Sequence, residues 1–145
     1  MIVVAAIILS FTFTGIMGKG LFRVSPAPKA PTAADAVEST FLTYEEARGF
    51  YLRGSALFID ARHASDFNAG HIKGAVSIPL QEIRKNSPIL SDLPRDRLLV
   101  AYCDGEGCSS SIELAKLLYR SGFSNVKVFF GGWNEWLAHK QPTDP

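Results

Sequence analysis

The sequence predicts an α/β domain built on a central, mainly parallel sheet with helices on both faces. Two observations predict it. Short, unbroken apolar runs at residues 56–59, 98–102 and 126–130 have strand length and stop abruptly at Asp60, Cys103 and Gly131. Segments with helical spacing alternate with these runs, and strands that read as continuously apolar belong to sheets covered on both sides. The 145 residues allow one domain of ordinary size plus an appendage, and 47% hydrophobic with 20% charged residues describes a packed core.

Taken in order, residues 1–17 carry no charged side chain, and only Ser10, Thr12, Thr14 and Gly15 interrupt their hydrophobicity. Extended to Phe22, the stretch reaches the lower end of a bilayer-spanning length. A transmembrane anchor over 1–23 is therefore expected. A cleaved signal peptide competes with it, but nothing basic precedes Ile2 and no clear cleavage site follows. A buried soluble helix fits less well, because the stretch is apolar on all sides. Lys19, Arg23 and Lys29 follow the span, which points the C-terminal portion toward the cytoplasm. Residues 24–39 are rich in Pro and Ala and read as a linker, leaving 40–145 as the folded domain.

Within that domain Thr43 and Glu46 form a capping-box pattern that opens a helix ending near Gly54. The strand at 56–59 stops at Asp60, one or two helical turns follow over 63–69, and a second short strand lies at 75–78. A brief helix is expected at 80–85 and a surface loop at 86–96, which holds Pro88 and Pro94. The strand at 98–102, a helix over 110–121 and the strand at 126–130 come next, and Gly131 and Gly132 turn the chain into a last helix carrying Trp133 and Trp136.

A net charge of +1 without a basic run gives no case for nucleic acid. Two cysteines do not make a disulfide scaffold in a chain this long, and neither they nor His63, His71 and His139 stand at zinc spacing. No metal or cofactor is expected.

Chemistry concentrates at Cys103. In sheets of this class ligands bind beyond the carboxyl ends of the strands. A loop from strand to helix aims its backbone N–H groups and the positive helix end at its concavity, here at the Cys103 sulfur. That placement lowers a thiol's pKa and supplies a thiolate near neutral pH. The expectation is a sulfur anion held in an open hollow by inward-turned amides. The competing reading is a small apolar side chain that only packs.

Three segments in order, FIDARHASDFNAGHIKGAVSIPL (58–80), LLVAYC (98–103) and VKVFFGGWNEWLAHKQP (126–142), resemble the rhodanese-like sulfurtransferase domain family. Some look-alikes with a YCDG loop start and a second cysteine are membrane-tethered single-domain proteins. The resemblance implies a parallel sheet flanked by helices and a cysteine, Cys103, that carries sulfane sulfur as a persulfide. It makes His71 a loop-organising residue rather than a base; Trp133 and Trp136, at i and i+3 on one helix face, read as core anchors. Asp60 and Arg62, at the end of a strand, are placed to pair with each other or with neighbouring loops; for Arg62 a scaffold role is favoured over adding positive potential near the pocket.

The loop departs from the family pattern. Its sixth position, where the family has Arg, Ser or Thr, is Cys108, and it extends to about Ser110. With no Arg in the loop a bidentate grip on a phosphate dianion is absent, which argues against phosphatase chemistry. Asp104 and Glu106 oppose both thiolate formation and an incoming small anion, favouring a neutral or protein-borne donor. Cys108 is placed either to resolve a Cys103 persulfide into a disulfide or simply to fill the loop interior. Asp104, Gly105, Glu106, Gly107, Cys108 and Ser109 form the expected substrate-binding loop, and Ser109 to Ser111 the cap of the next helix. The expected function is sulfur transfer from a donor to a thiol acceptor, either of them a small molecule or a protein. A dithiol/disulfide redox protein and a catalytically silent interaction module are the alternatives.

Overall fold

The computed structural model describes residues 41–83 and 87–145. The anchor and linker expected over 1–39 lie outside them, and among the described residues no helix is long and apolar enough to cross a membrane. In chain order the elements are β1 (Phe41–Leu42), α1 (Tyr44–Leu52), β2 (Ala56–Asp60), α2 (Ala64–Ala69), β3 (His71–Ile72), β4 (Val76–Ser77), a 3-10 turn (Pro88–Leu90), β5 (Leu98–Tyr102), α3 (Ser110–Arg120), β6 (Val126–Phe129), α4 (Gly132–Ala138) and β7 (Thr143–Asp144).

Five strands form one sheet in the order β1-β6-β5-β2-β4, and every pairing in it is parallel. β5 lies at its centre with all five residues buried, as an apolar run covered on both faces requires. Alternation along β5 divides the core. Leu99 and Ala101 face a cluster completed by Ile59, Val126, Val128 and the α3 residues Leu114, Ala115 and Leu118. Leu98, Val100 and Tyr102 face the other cluster, with Phe58, Phe129, Ala47 of α1 and Trp136 of α4. Each fully buried Leu or Val contributes about 1.5–3 kcal/mol, so these two layers hold the sheet edges in register.

The α1 cap forms as the sequence pattern predicts, with Thr43 and Glu46 bonded reciprocally. Two expectations need correction. Residues 80–83 make a turn rather than the start of a helix, because the Leu80 N–H is committed to the Ala61 carbonyl and the Glu82 N–H to that of Pro79. The segment after Pro88 is not wholly at the surface, since Leu90 and Leu93 are buried in the α3-side cluster. Three short strands were not expected. β1 extends the sheet beside β6, and β3 and β7 form a separate antiparallel pair.

Candidate active site

The central strand β5 delivers Cys103 to the carboxyl edge of the sheet, and the loop from Cys103 to Ser109 leads into α3. The start of this loop is held from the opposite side by α4. The Trp133 and Asn134 N–H groups donate to the Cys103 and Asp104 carbonyls, each over 2.8 Å. So close an approach needs glycine at position 132. Its φ is +57°, and a Cβ there would collide with the Cys103 carbonyl oxygen and lie 2.9 Å from the Gly105 nitrogen. Free N–H groups at a helix start thus fix the backbone that carries the sulfur.

The sulfur itself is not in an open hollow. Cys103 is 2% exposed, belongs to the α3-side apolar cluster, and is joined by a disulfide to Cys108, with the two Cα atoms 6.4 Å apart. The loop amides do not all turn inward either. The Cys108 N–H donates to the Gly105 carbonyl over 3.0 Å, while the Cys108 carbonyl oxygen lies 3.4 Å from the Cys103 sulfur. The expected anion cradle is therefore not formed: a disulfide closes the loop between its first and sixth residues, and the sulfur sits in the apolar cluster. Besides the Cys108 carbonyl, one side-chain polar group reaches the sulfur. The Ser111 hydroxyl oxygen, on a buried residue in the first turn of α3, is 3.3 Å from Cys103 Sγ, within hydrogen-bond reach of it.

The remaining loop residues divide by exposure. Asp104, Glu106, Gly107 and Ser109 are exposed, Gly105 is buried and Cys108 is half-buried. Gly105 has φ +153°, and a Cβ there would come within 2.9 Å of the Gly131 carbonyl. Ser109 occupies the cap position of α3 without a side-chain capping bond, so the expected cap is positional only.

Arg62 serves the scaffold beneath this loop. Its Nε and Nη2 donate to the two oxygens of buried Asp60 at 3.0 and 2.7 Å, and Nη2 also donates to the Gly70 carbonyl at 2.7 Å. The guanidinium lies 4.9 Å from the Trp133 ring centre, and its free nitrogen Nη1 is 3.9 Å from Asp104. Burial pulls its pKa down, but the hydrogen bonds and charge of Asp60 outweigh that and raise it above the ordinary value. The neighbouring Tyr102 phenol is pushed up by burial and then by the charge of Asp60, and it stays protonated to accept from the Ile72 N–H at 3.2 Å. His71 organises its turn: Nδ1 is 2.9 Å from the Phe67 carbonyl, and the ring stacks on Phe67 at 3.7 Å. Among the described residues no cluster of three His, Cys, Asp or Glu side chains is placed to hold a metal ion.

A family model described as a rhodanese-like domain matches residues 43–139. The chain belongs to the rhodanese-like domain family. Its fold is shared with a protein from Bacillus halodurans at a TM-score of 0.67 and 23% identity, over 74% of this chain and 77% of that one. An HTH-type transcriptional regulator of Mycobacterium tuberculosis is 33% identical over 91 residues, covering 63% of this chain and 38% of the regulator. The 3-mercaptopyruvate sulfurtransferase of Escherichia coli is 28% identical over 114 residues, covering 63% of this chain and 40% of that enzyme. The chain thus spans about two fifths of the length of both relatives. Rhodanese-like membership joins this chain to proteins whose whole-length roles differ, so its own chemistry has to be read from the loop.

Sequence reasoning missed Ser111 as a neighbour of the sulfur and the α4 amides as its clamp. The Gly131–Gly132 pair was the available signal for the second, since two adjacent glycines permit a helix start to meet a distant backbone.

Proposed function

We propose that this rhodanese-like domain is a sulfurtransferase that carries sulfane sulfur on Cys103. The single observation behind the reading is a bonded Cys103–Cys108 pair at the carboxyl end of the central strand. After reduction by a dithiol, the Cys103 thiolate attacks the outer sulfur of a persulfide donor. The donor's S–S bond breaks, its thiol leaves, and Cys103 holds the sulfur as a persulfide. An acceptor thiolate then takes the outer sulfur and Cys103 departs as thiolate. Without an acceptor, the Cys108 thiolate attacks the inner sulfur, hydrosulfide leaves and the disulfide forms. Ser111 donates to the Cys103 sulfur when it bears charge. The absence of a loop Arg and the nearby Asp104 and Glu106 favour a neutral or protein-borne donor over a small dianion.

The test is intact mass of the reduced full chain after exposure to polysulfide. Cys108→Ser should gain one sulfur and keep it, wild type should gain it and then lose it as the disulfide forms, and Cys103→Ser should gain none. An adduct that persists in Cys103→Ser overturns the assignment. The disulfide also supports a second reading, a dithiol/disulfide exchange protein, for which loss of two hydrogens without any sulfur gain is the signature. A silent interaction module would show a reduced Cys103 alkylated no faster than a free model thiol.

Residues 1–23 belong to the proposal as a single-pass anchor, with the domain on the cytoplasmic side, on the strength of their uncharged run and the Lys19, Arg23 and Lys29 that follow it. Release of the full chain from membranes by alkaline carbonate would remove the anchor from the account.

A further inference from the structure

Beside the cysteine loop lies a groove of about 490 Å³, lined by Phe41, Tyr44, Glu106, Phe130, Gly131 and Glu135 among others. Glu106 is a loop residue, so the groove and the sulfur share one edge of the sheet. Phe41 and Phe130 remain 39% and 38% exposed and pack edge-to-face at 5.6 Å. The Glu135 carboxylate folds back against Gly131 on the groove wall. Among the described residues neither Glu106 nor Glu135 has a salt-bridge partner, no basic residue lines the groove, and Asp104 adds an exposed carboxylate along the loop.

We infer that this groove docks the basic, apolar-flanked segment of a partner protein that bears the reacting thiol. This rests on the sulfur-transfer reading and names its acceptor class. Charge complementarity selects the occupant: two unpaired carboxylates over an aromatic floor suit a lysine or arginine, whose cation the aromatic faces and the carboxylates both attract. The apolar stem of such a side chain covers the exposed phenyl rings. A small anionic acceptor meets repulsion at the same place. Because Glu106 follows Cys103 by three residues, a segment seated in the groove brings its own cysteine to the loop once the disulfide is open.

The probe is a fluorescent synthetic peptide with serine in place of the reacting cysteine, flanked by leucine and two lysines, and a matched peptide with glutamates for the lysines. Anisotropy with the reduced full chain at low salt should give the lysine peptide at least about fivefold tighter binding. Glu106→Gln combined with Glu135→Gln should erase that difference, and Phe130→Ser should weaken the lysine peptide. Equal binding of both peptides, or a preference that survives in the double variant, overturns the assignment. So does a carbodiimide cross-link between Glu135 and a lysine in residues 1–40 of the same chain, or a dimer that the double variant abolishes. Polysulfide loading of Cys103 in the same samples keeps the two claims apart. Loading without peptide preference sinks the groove alone, and preference without loading sinks the transferase reading alone.

Discussion

The Trp133 backbone N–H donates to the Cys103 carbonyl oxygen over 2.8 Å, tying the first turn of α4 to the residue that carries the sulfur. Thirty residues of chain separate the two, yet their contact sets where the cysteine loop begins.

Gly132 makes that contact possible, and Gly132→Ala should break it. The substitution strains a backbone at φ +57° and drives a methyl into the Cys103 carbonyl. A cost of about 1–3 kcal/mol or more is expected in urea unfolding. Unchanged stability with unchanged Cys103 alkylation would show that the clamp is dispensable.

Asp60→Asn should be among the costliest single changes. It leaves the Arg62 guanidinium buried without its counter-charge, at about 3–5 kcal/mol. Replacing both members, Asp60→Leu with Arg62→Met, should recover most of the loss. A double variant as unstable as the single one would mean the pair's other bonds, to Gly70 and the Arg62 amide, matter more than its charge.

Ser111→Ala tests the polar side chain that neighbours the sulfur. In the reduced protein a thiolate at Cys103 would lose a hydroxyl donor, and a bond to a charged group typically supports a rate change of about tenfold. Iodoacetamide labelling of reduced Cys108→Ser, with and without Ser111→Ala, isolates the effect near pH 7. Equal labelling rates would show that Ser111 only packs.

The α1 cap carries a pH signature. Bonds from the Thr43 N–H and hydroxyl to Glu46, each 2.9 Å, hold the Glu46 carboxyl below its ordinary 4.5. A folded pKa below the unfolded one gives stability that is complete above 4.5 and is lost as the pH falls through the folded value. Glu46→Gln, which removes the titrating carboxyl, should lower the thermal midpoint at neutral pH and flatten its decline in acid. A decline parallel to wild type would assign the acid loss to other carboxyls.

The elements legible in the sequence are those whose own residues decide them. β2, β5 and β6 are apolar runs with abrupt ends, and α1 opens on a local capping box. β1, β3 and β7 were not legible, because their residues form no apolar run and their partners lie far along the chain, as His71 with Asp144. At the site, the spacing of Cys103 and Cys108 announced that they can bond, and the acidic loop was plain. The burial of the sulfur was not, since it depends on the α3-side cluster and Ser111 meeting it in space. The buried Asp60–Arg62 bond was one of two pairings the sequence left open, and the further grip of Arg62 on Gly70 needed the fold.

The register that places Phe41 beside Val128 has a consequence for biogenesis. The outer strand at one margin of the sheet cannot find its neighbour until nearly the whole domain has left the ribosome, and such distant pairings form slowly. Cys103 and Cys108 emerge ahead of β6 and Gly132, so both thiols are synthesised before the α4 backbone clamp that fixes the start of their loop.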